Sequence, residues 1–212
     1  MKTPQLSVSI IDDILSANRV PRDKWPVVAL AIRGYYLDSM GAPGKNDRMR
    51  YDDAHFIVWP DGLARFVGNT DPNGFRAGKG TGAGKGMAML KPGIHFYGTG
   101  MHKGKRGFRQ AEPFTVIRDG NPPYEHTGWH AINWHSGAGD AESFGRTSSL
   151  GCQTNPPDRF AVLQPLLYRL LDTYNSPRGK TDWDENVRTF PYILIEETEI
   201  RKGNRVVSKR FF

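Results

Sequence analysis

One cysteine and one nearby histidine are the residues of this 212-residue chain best suited to chemistry. Cys152 is the only cysteine, which excludes an internal disulfide and a cysteine-based zinc cluster. His135 precedes it by seventeen positions, within His-Ser-Gly, and Cys152 itself lies in Ser-Leu-Gly-Cys. A free thiol, with a pKa of about 8.5, is mostly protonated at neutral pH, and a close imidazole can take its proton and later return it to a leaving group. The pair favours acyl transfer through a thioester; a buried, inert thiol is the alternative.

The glycine before the cysteine favours the same chemistry. Gly151 allows close approach of the backbone, so main-chain N–H groups around Cys152 can face the oxyanion of a tetrahedral intermediate. The alternation over 129–135 predicts a strand that carries Asn133 and His135 on one face and delivers the imidazole at its end.

The His-Ser-Gly at a strand end, whose histidine is separated by sixteen residues from the cysteine of Ser-x-Gly-Cys, resembles the catalytic core of L,D-transpeptidases, the YkuD-like cysteine enzymes of peptidoglycan. The resemblance covers roughly residues 27–165. This part of the chain looks similar to the YkuD-like domains of phage lytic proteins and secreted wall-targeting effectors. Weaker matches lie upstream, at Arg33-Gly34-Tyr35-Tyr36, Tyr51-Asp52-Asp53, Asn69-Thr70-Asp71-Pro72 and Lys91-Pro92-Gly93-Ile94-His95.

The resemblance implies a mainly β (α+β) catalytic domain, a β-sandwich or barrel with one or two flanking helices and no cofactor. It implies Cys152 as nucleophile, His135 as general base and acid, and Ser136 orienting the imidazole through its carbonyl. Gly151 and Cys152 would supply the oxyanion donors. The further candidates for oxyanion or substrate binding are Ser149, Gln153, Asn133 and His102.

Two positions depart from the family pattern. Leu150 stands where members commonly have a second histidine, and Gln153-Thr154 where many have arginine. A glutamine can bond an amide or carboxylate but lacks the fixed charge and bidentate fork of arginine. Preference for a free terminal carboxylate therefore does not follow from this motif. His102, within a glycine- and lysine-rich stretch, either lines the substrate groove or is a solvated loop residue.

The patterns of apolar residues and turns predict about eight short strands and two helices. Pro165 in the second helix predicts a kink or a broken first turn. The predicted elements are a helix within 5–18, strands at 27–32, 54–59, 63–67, 93–97, 114–118, 129–135 and 192–195, a basic loop at 98–107, a helix from 156 to about 174, and a turn at 202–204 between two last strands.

The length indicates one domain over 1–212, which the resemblance implies is catalytic. We divide it into a leading helical segment (1–25), the core that the resemblance covers (27–165) and a C-terminal part (166–212). The 24 glycines and 15 prolines are spread along the chain, which argues against a coiled coil, and 38% hydrophobic residues exclude wholesale disorder. The longest apolar run, Val27 to Ile32, is too short to span a bilayer. The first residues do not have the pattern of a Sec signal peptide, so we expect synthesis in the cytoplasm without a Sec signal.

The net charge of +7 is concentrated in residues 76–109, which contain no Asp or Glu. Such a stretch suits a polyanion, so a non-enzymatic module that binds nucleic acid or a wall polymer is the alternative function. The glycine- and lysine-rich segment 78–86 departs from the phosphate-loop motif, and we interpret it as a loop beside the active site. Metal binding by His126, His130 and His135 is not expected, because prolines and Gly128 disfavour a helix there.

We therefore expect an enzyme of peptidoglycan stem peptides, acting as an L,D-carboxypeptidase, an endopeptidase or a D-amino-acid exchange enzyme. Its expected partners are stem peptides and an immunity or delivery-machine protein, with no nucleic acid and no membrane span. It would act in the periplasm or cell wall after phage lysis or contact-dependent secretion. A cysteine amidase or peptidase outside peptidoglycan metabolism is the third alternative.

Overall fold

Twelve strands and three helices make up the described residues of the computed structural model, which are 3–35, 46–78, 86–142 and 145–201. The helices are α1 (Val8–Ala17), α2 (Pro157–Thr173) and α3 (Glu197–Arg201). The strands are β1 (Val28–Arg33), β2 (Asp53–Trp59), β3 (Gly62–Gly68), β4 (Ala88–Leu90), β5 (Gly93–His102), β6 (Lys105–Gln110), β7 (Phe114–Arg118), β8 (Tyr124–Gly128), β9 (Trp134–Ser136), β10 (Gln153–Asn155), β11 (Arg178–Gly179) and β12 (Val187–Glu196).

A single nine-stranded sheet dominates the fold and almost closes on itself. Its order is β10-β9-β6-β5-β12-β1-β2-β3, with β11 paired to β12. An isolated bridge between Asn69, just after β3, and Thr154 of β10 links the two ends of this path. A smaller sheet of order β4-β7-β8 completes the structure. The protein is thus mainly β with few helices, which confirms the predicted β-rich α+β class at that level.

The core has two parts because the central strand β1 is buried on both faces. Ala29 and Ala31 face one cluster, which includes the apolar side of α2, and Leu30 and Ile32 face the other, which includes α1. Side chains alternate along a strand, so a continuous apolar run such as 27–32 can fill both sides. No described helix is long and apolar enough to cross a membrane.

Several predicted elements are confirmed. The hairpin of β2 and β3 turns at 60–61, as the Pro-Asp-Gly sequence predicted. The second helix begins at Pro157 and ends at Thr173, and it continues as one helix through Pro165 rather than breaking there. The strand predicted at 192–195 is the central part of the longer β12.

The predicted basic loop at 98–107 was wrong. These residues belong to β5 and β6, an antiparallel hairpin that turns at Lys103 and Gly104, with Thr99 opposite Phe108. The many glycines and basic residues hid the strand pattern, and pairing with β12 and β9 stabilises it.

Three other predictions differ from the structure or lie outside it. The strand predicted at 129–135 is shorter, since only Trp134–Ser136 forms β9. Residues 197–201 form α3 where the first of two final strands was predicted. The turn at 202–204 and most of the glycine-rich segment lie outside the described residues.

Candidate active site

Cys152 immediately precedes β10, which pairs with the strand that carries His135. The two strands are parallel, with Gln153 opposite Trp134 and Thr154 opposite His135. Cys152 and His135 therefore lie on neighbouring segments, offset by two residues. This register comes from the tertiary pairing of two segments that the sequence separates by a long loop.

Two backbone groups hold the thiol. The Asn133 N–H donates to Sγ at 3.4 Å, and the thiol donates to the Ala131 carbonyl at 3.4 Å. The second contact needs a proton on sulfur, since a carbonyl oxygen only accepts. Cys152 is half-buried, so it is neither fully sequestered nor an open surface thiol.

The loop before Cys152 has a conformation that only glycine suits. Gly151 has φ of 150°, and a Cβ placed there would lie 2.1 Å from the Ala88 carbonyl oxygen. The Ser149 hydroxyl accepts from the Gly151 N–H at 2.9 Å and donates to the Cys152 carbonyl at 2.6 Å. These contacts position the peptide that carries the thiol.

The same contacts correct part of the expected oxyanion site. The Gly151 N–H is already bonded to Ser149, which is 2% exposed, so neither residue presents a free donor. Among the described residues, the Cys152 N–H makes no hydrogen bond and is the donor that stays free. The geometry thus leaves Cys152 alone of the expected pair to face an oxyanion.

His135 is held in one tautomer. Its Nδ1 lies 2.7 Å from the Ser136 carbonyl, the contact that the family resemblance implied. Because a carbonyl only accepts, Nδ1 carries the hydrogen and Nε2 carries the lone pair. An imidazole in this state can act as a base.

His102, one of the predicted substrate-binding candidates, lies against His135. It ends β5, and its ring stacks on that of His135 with centroids 4.2 Å apart and planes within 10°. The Asn133 side-chain amide donates to His102 Nδ1 at 2.8 Å. Asn133 thus contacts both parts of the site, with its backbone at the thiol and its side chain at the imidazole pair.

Burial favours the neutral forms of the ionisable groups in the site. Burial lowers the pKa of His102 to about 4, with the charges of His135, Lys103 and Arg109 acting in the same direction. Burial also lowers the pKa of His135, against its bond to the Ser136 carbonyl. Burial raises the pKa of the Cys152 thiol, although the Asn133 N–H and nearby cations oppose it. The resting site is therefore a neutral thiol beside neutral imidazoles, and not a thiolate–imidazolium pair.

Gln153 lies under the loop rather than in the groove. It is fully buried, its Nε2 donates to the Gly151 carbonyl at 3.3 Å, and its Oε1 accepts from the Tyr192 hydroxyl at 2.9 Å. Both ends of the amide are used inside the protein. The expected substrate contact through Gln153 is therefore not available in this structure, and Gln153 supports the nucleophile loop instead.

A buried polar network beneath the site was missed by the sequence reasoning. His55 Nδ1 contacts the Asn155 side chain, and its Nε2 lies 3.2 Å from the Tyr192 hydroxyl. The Trp134 indole donates to Asn155 at 2.7 Å. Burial lowers the pKa of His55 to about 3. A histidine in the otherwise apolar segment 54–59 was the signal that could have pointed to it.

A cavity of about 500 Å³ opens beside His135. One wall is basic, from the β5–β6 turn, and another is apolar, from the first turns of α2. Cys152 is not among the residues that line this cavity. The lining residues are His102, Lys103, Lys105, Arg106, His135, Ser136, Gly137, Ser148, Pro157, Phe160, Ala161 and Gln164.

The residues considered for metal binding do not form a cluster. His126 lies on β8, and His130 Nε2 contacts its carbonyl at 3.2 Å. Within 3–35, 46–78, 86–142 and 145–201, no group of three or more His, Cys, Asp or Glu could hold a metal ion.

No protein-family model, curated protein or solved structure matches the chain. The likeness to L,D-transpeptidases therefore depends on the two motifs and on the geometry of the residues within them.

Proposed function

We propose that this protein is a cysteine-dependent acyl-transfer enzyme of peptidoglycan stem peptides, with an L,D-transpeptidase-like catalytic domain. It would act in the periplasm or cell wall as an L,D-carboxypeptidase, an endopeptidase or a D-amino-acid exchange enzyme. The observation that supports the proposal is the pairing of β9 with β10, which brings half-buried Cys152 next to the strand of His135. The Nδ1 of His135 is bonded to the Ser136 carbonyl, so its Nε2 carries the lone pair.

In the proposed reaction, His135 Nε2 takes the thiol proton while Sγ attacks the amide carbonyl carbon. The negative charge on the carbonyl oxygen faces the Cys152 N–H. The C–N bond then breaks, and the amine leaves with the proton that His135 returns. An incoming amine or water then attacks the thioester carbonyl while His135 takes its proton. The C–S bond breaks, the acyl group stays on the acceptor, and the Cys152 thiolate takes the proton back from His135.

The contacts of the site assign supporting roles. Ser136 holds the tautomer through its carbonyl, and Asn133 and His102 fix the plane of the His135 ring by bonding and stacking. Ser149 and Gln153 hold the backbone on either side of the nucleophile. These are positioning residues, whereas Cys152 and His135 contact the reacting atoms.

The test is incubation with defined tripeptide, tetrapeptide and crosslinked muropeptides, with and without a D-amino acid, followed by mass spectrometry. We expect mass changes that Cys152→Ala and His135→Ala abolish. His126→Ala is the matched control, because that exposed histidine lies on β8 outside the site. Unchanged muropeptides with the folded wild-type protein would contradict the proposal and favour a substrate outside peptidoglycan.

The alternative, a non-enzymatic polyanion module, is distinguished by the same variants. Binding that depends steeply on salt and survives Cys152→Ala, without any turnover by the wild type, would favour that alternative.

A further inference from the structure

The basic wall of the cavity contains three cations that are not neutralised by a described carboxylate. Lys103 lies in the β5–β6 turn, and Lys105 and Arg106 begin β6. Within the described ranges, none of the three forms an ion pair. Other cations of the basic stretch are neutralised, since Lys91 pairs with Glu125 and Arg109 with Asp182.

The positive charge of this wall is not offset by acidic side chains among the described residues that line the cavity, since no Asp or Glu occurs among them. The Arg106 guanidinium lies 5.4 Å from the centroid of the Tyr168 ring, a contact that restricts its position. The charge of Lys103 reaches the reacting groups, where it lowers the pKa of both His135 and Cys152.

The opposite wall is apolar. Pro157, Phe160 and Ala161 of α2 face the cavity. A cavity of about 500 Å³ has the size of a small-ligand site rather than of a track for a long polymer. A ligand that fits both walls has an aliphatic part and an anionic end.

We propose that the cavity formed by the β5–β6 turn and α2 binds a carboxylate-bearing side chain or terminus of the peptide substrate, with Lys103, Lys105 and Arg106 as its anion-binding groups. This inference rests on the proposed function and deepens it by naming a substrate feature. It places the carboxylate recognition on a different element from the residues after Cys152, where the buried Gln153 offers no charge.

The test measures binding without turnover in the full-length Cys152→Ala protein. The probes are the stem tripeptide L-Ala-γ-D-Glu-meso-diaminopimelate and the same tripeptide with its carboxylates amidated, titrated by calorimetry. We expect Lys103→Gln with Arg106→Gln to weaken binding of the carboxylate probe about tenfold and to leave the weaker binding of the amidated probe unchanged. A higher salt concentration should weaken the binding of the carboxylate probe only.

The matched control is Lys24→Gln with Arg169→Gln. This pair removes the same charge from two exposed residues outside the cavity, so net charge alone cannot explain a difference. Circular dichroism of both double variants checks that they fold.

The outcomes separate the site from the reaction. Equal affinity for the two probes, or an equal loss of affinity in both double variants, would contradict the proposed carboxylate site even if the wild type turns over muropeptides. Carboxylate binding that needs Lys103 and Arg106, without turnover by the wild type, would support the site and overturn the reaction. Loss of binding to a DNA duplex in the cavity variant, with tripeptide binding unchanged, would assign these cations to a polyanion and overturn the proposal.

Discussion

The reactivity of Cys152 towards an alkylating agent tests the neutral resting site directly. Burial raises the pKa of this thiol above its ordinary value, and burial lowers the pKa of His135, which favours its neutral form. Only the thiolate is alkylated at an appreciable rate. The thiol is therefore mostly protonated at neutral pH, and we expect the rate to rise about tenfold per pH unit from pH 5 to 8.

The assay is alkylation by iodoacetamide followed by intact-protein mass spectrometry. Because Cys152 is the only cysteine, each added mass reports on this one residue. The perturbation is His135→Gln, which removes the base but leaves the thiol in place. A neutral imidazole adds little to the thiolate fraction, so the pH profile of alkylation should stay within about threefold of the wild type. Turnover of muropeptides should be lost in the same variant.

A different profile would refute this reasoning. A preformed thiolate–imidazolium pair gives an alkylation rate that is already high and level between pH 5 and 8. In that case His135→Gln would lower the rate at neutral pH by orders of magnitude. Either result would show that the site is charged at rest and that His135 does more than accept a proton during the attack.

Three further predictions concern the network and loop that hold the site. Burial lowers the pKa of His55 from 6.5 in the unfolded chain to about 3 in the folded protein, so protonation on acidification favours the unfolded state. The free energy of unfolding should fall by about 2 kcal/mol from pH 7 to 5, and urea unfolding of His55→Gln should show a smaller fall. Gly151→Ala should lower the free energy of unfolding by more than about 3 kcal/mol and abolish turnover, because the new Cβ would clash with the Ala88 carbonyl. The control Gly74→Ala, at a φ of 125° with open space around it, should lose only the backbone strain of about 1–3 kcal/mol; equal thermal shifts in the two variants would contradict the clash. Tyr192→Phe should destabilise by about 1–3 kcal/mol in urea unfolding, because its hydroxyl donates to Gln153. Tyr97→Phe removes a buried hydroxyl that has no hydrogen-bond partner among the described residues, so it should be neutral or stabilising; a larger loss for Tyr97 would contradict this assignment.

Local patterns were sufficient for the elements whose signals lie within a few residues. The Pro-Asp-Gly turn predicted the β2–β3 hairpin, and the apolar spacing after Pro157 predicted α2. The hairpin of β5 and β6 was missed because its stability comes from pairing with β12 and β9, which are distant in sequence. The basic residues of that hairpin were therefore first interpreted as a loop.

The chemical types of the site could be read from the sequence, but their roles depended on the fold. The motif around Cys152 indicated Gln153 and Ser149 as substrate contacts, yet both side chains bond inside the protein. His102 was left open between groove and solvent, and the structure stacks it on His135. Which groups of a residue remain free depends on neighbours that come from other strands.

The amino-acid sequence by itself determined that one thiol, a histidine seventeen positions earlier and a glycine next to the thiol are present, and that the chain forms a β-rich domain. Only the tertiary structure decided that β9 and β10 pair, that the Gly151 N–H is already bonded, and that three cations face one cavity. The physical reason is that side-chain type and local spacing are properties of a segment. Strand register, burial and hydrogen-bond partners are set by contacts between segments far apart along the chain.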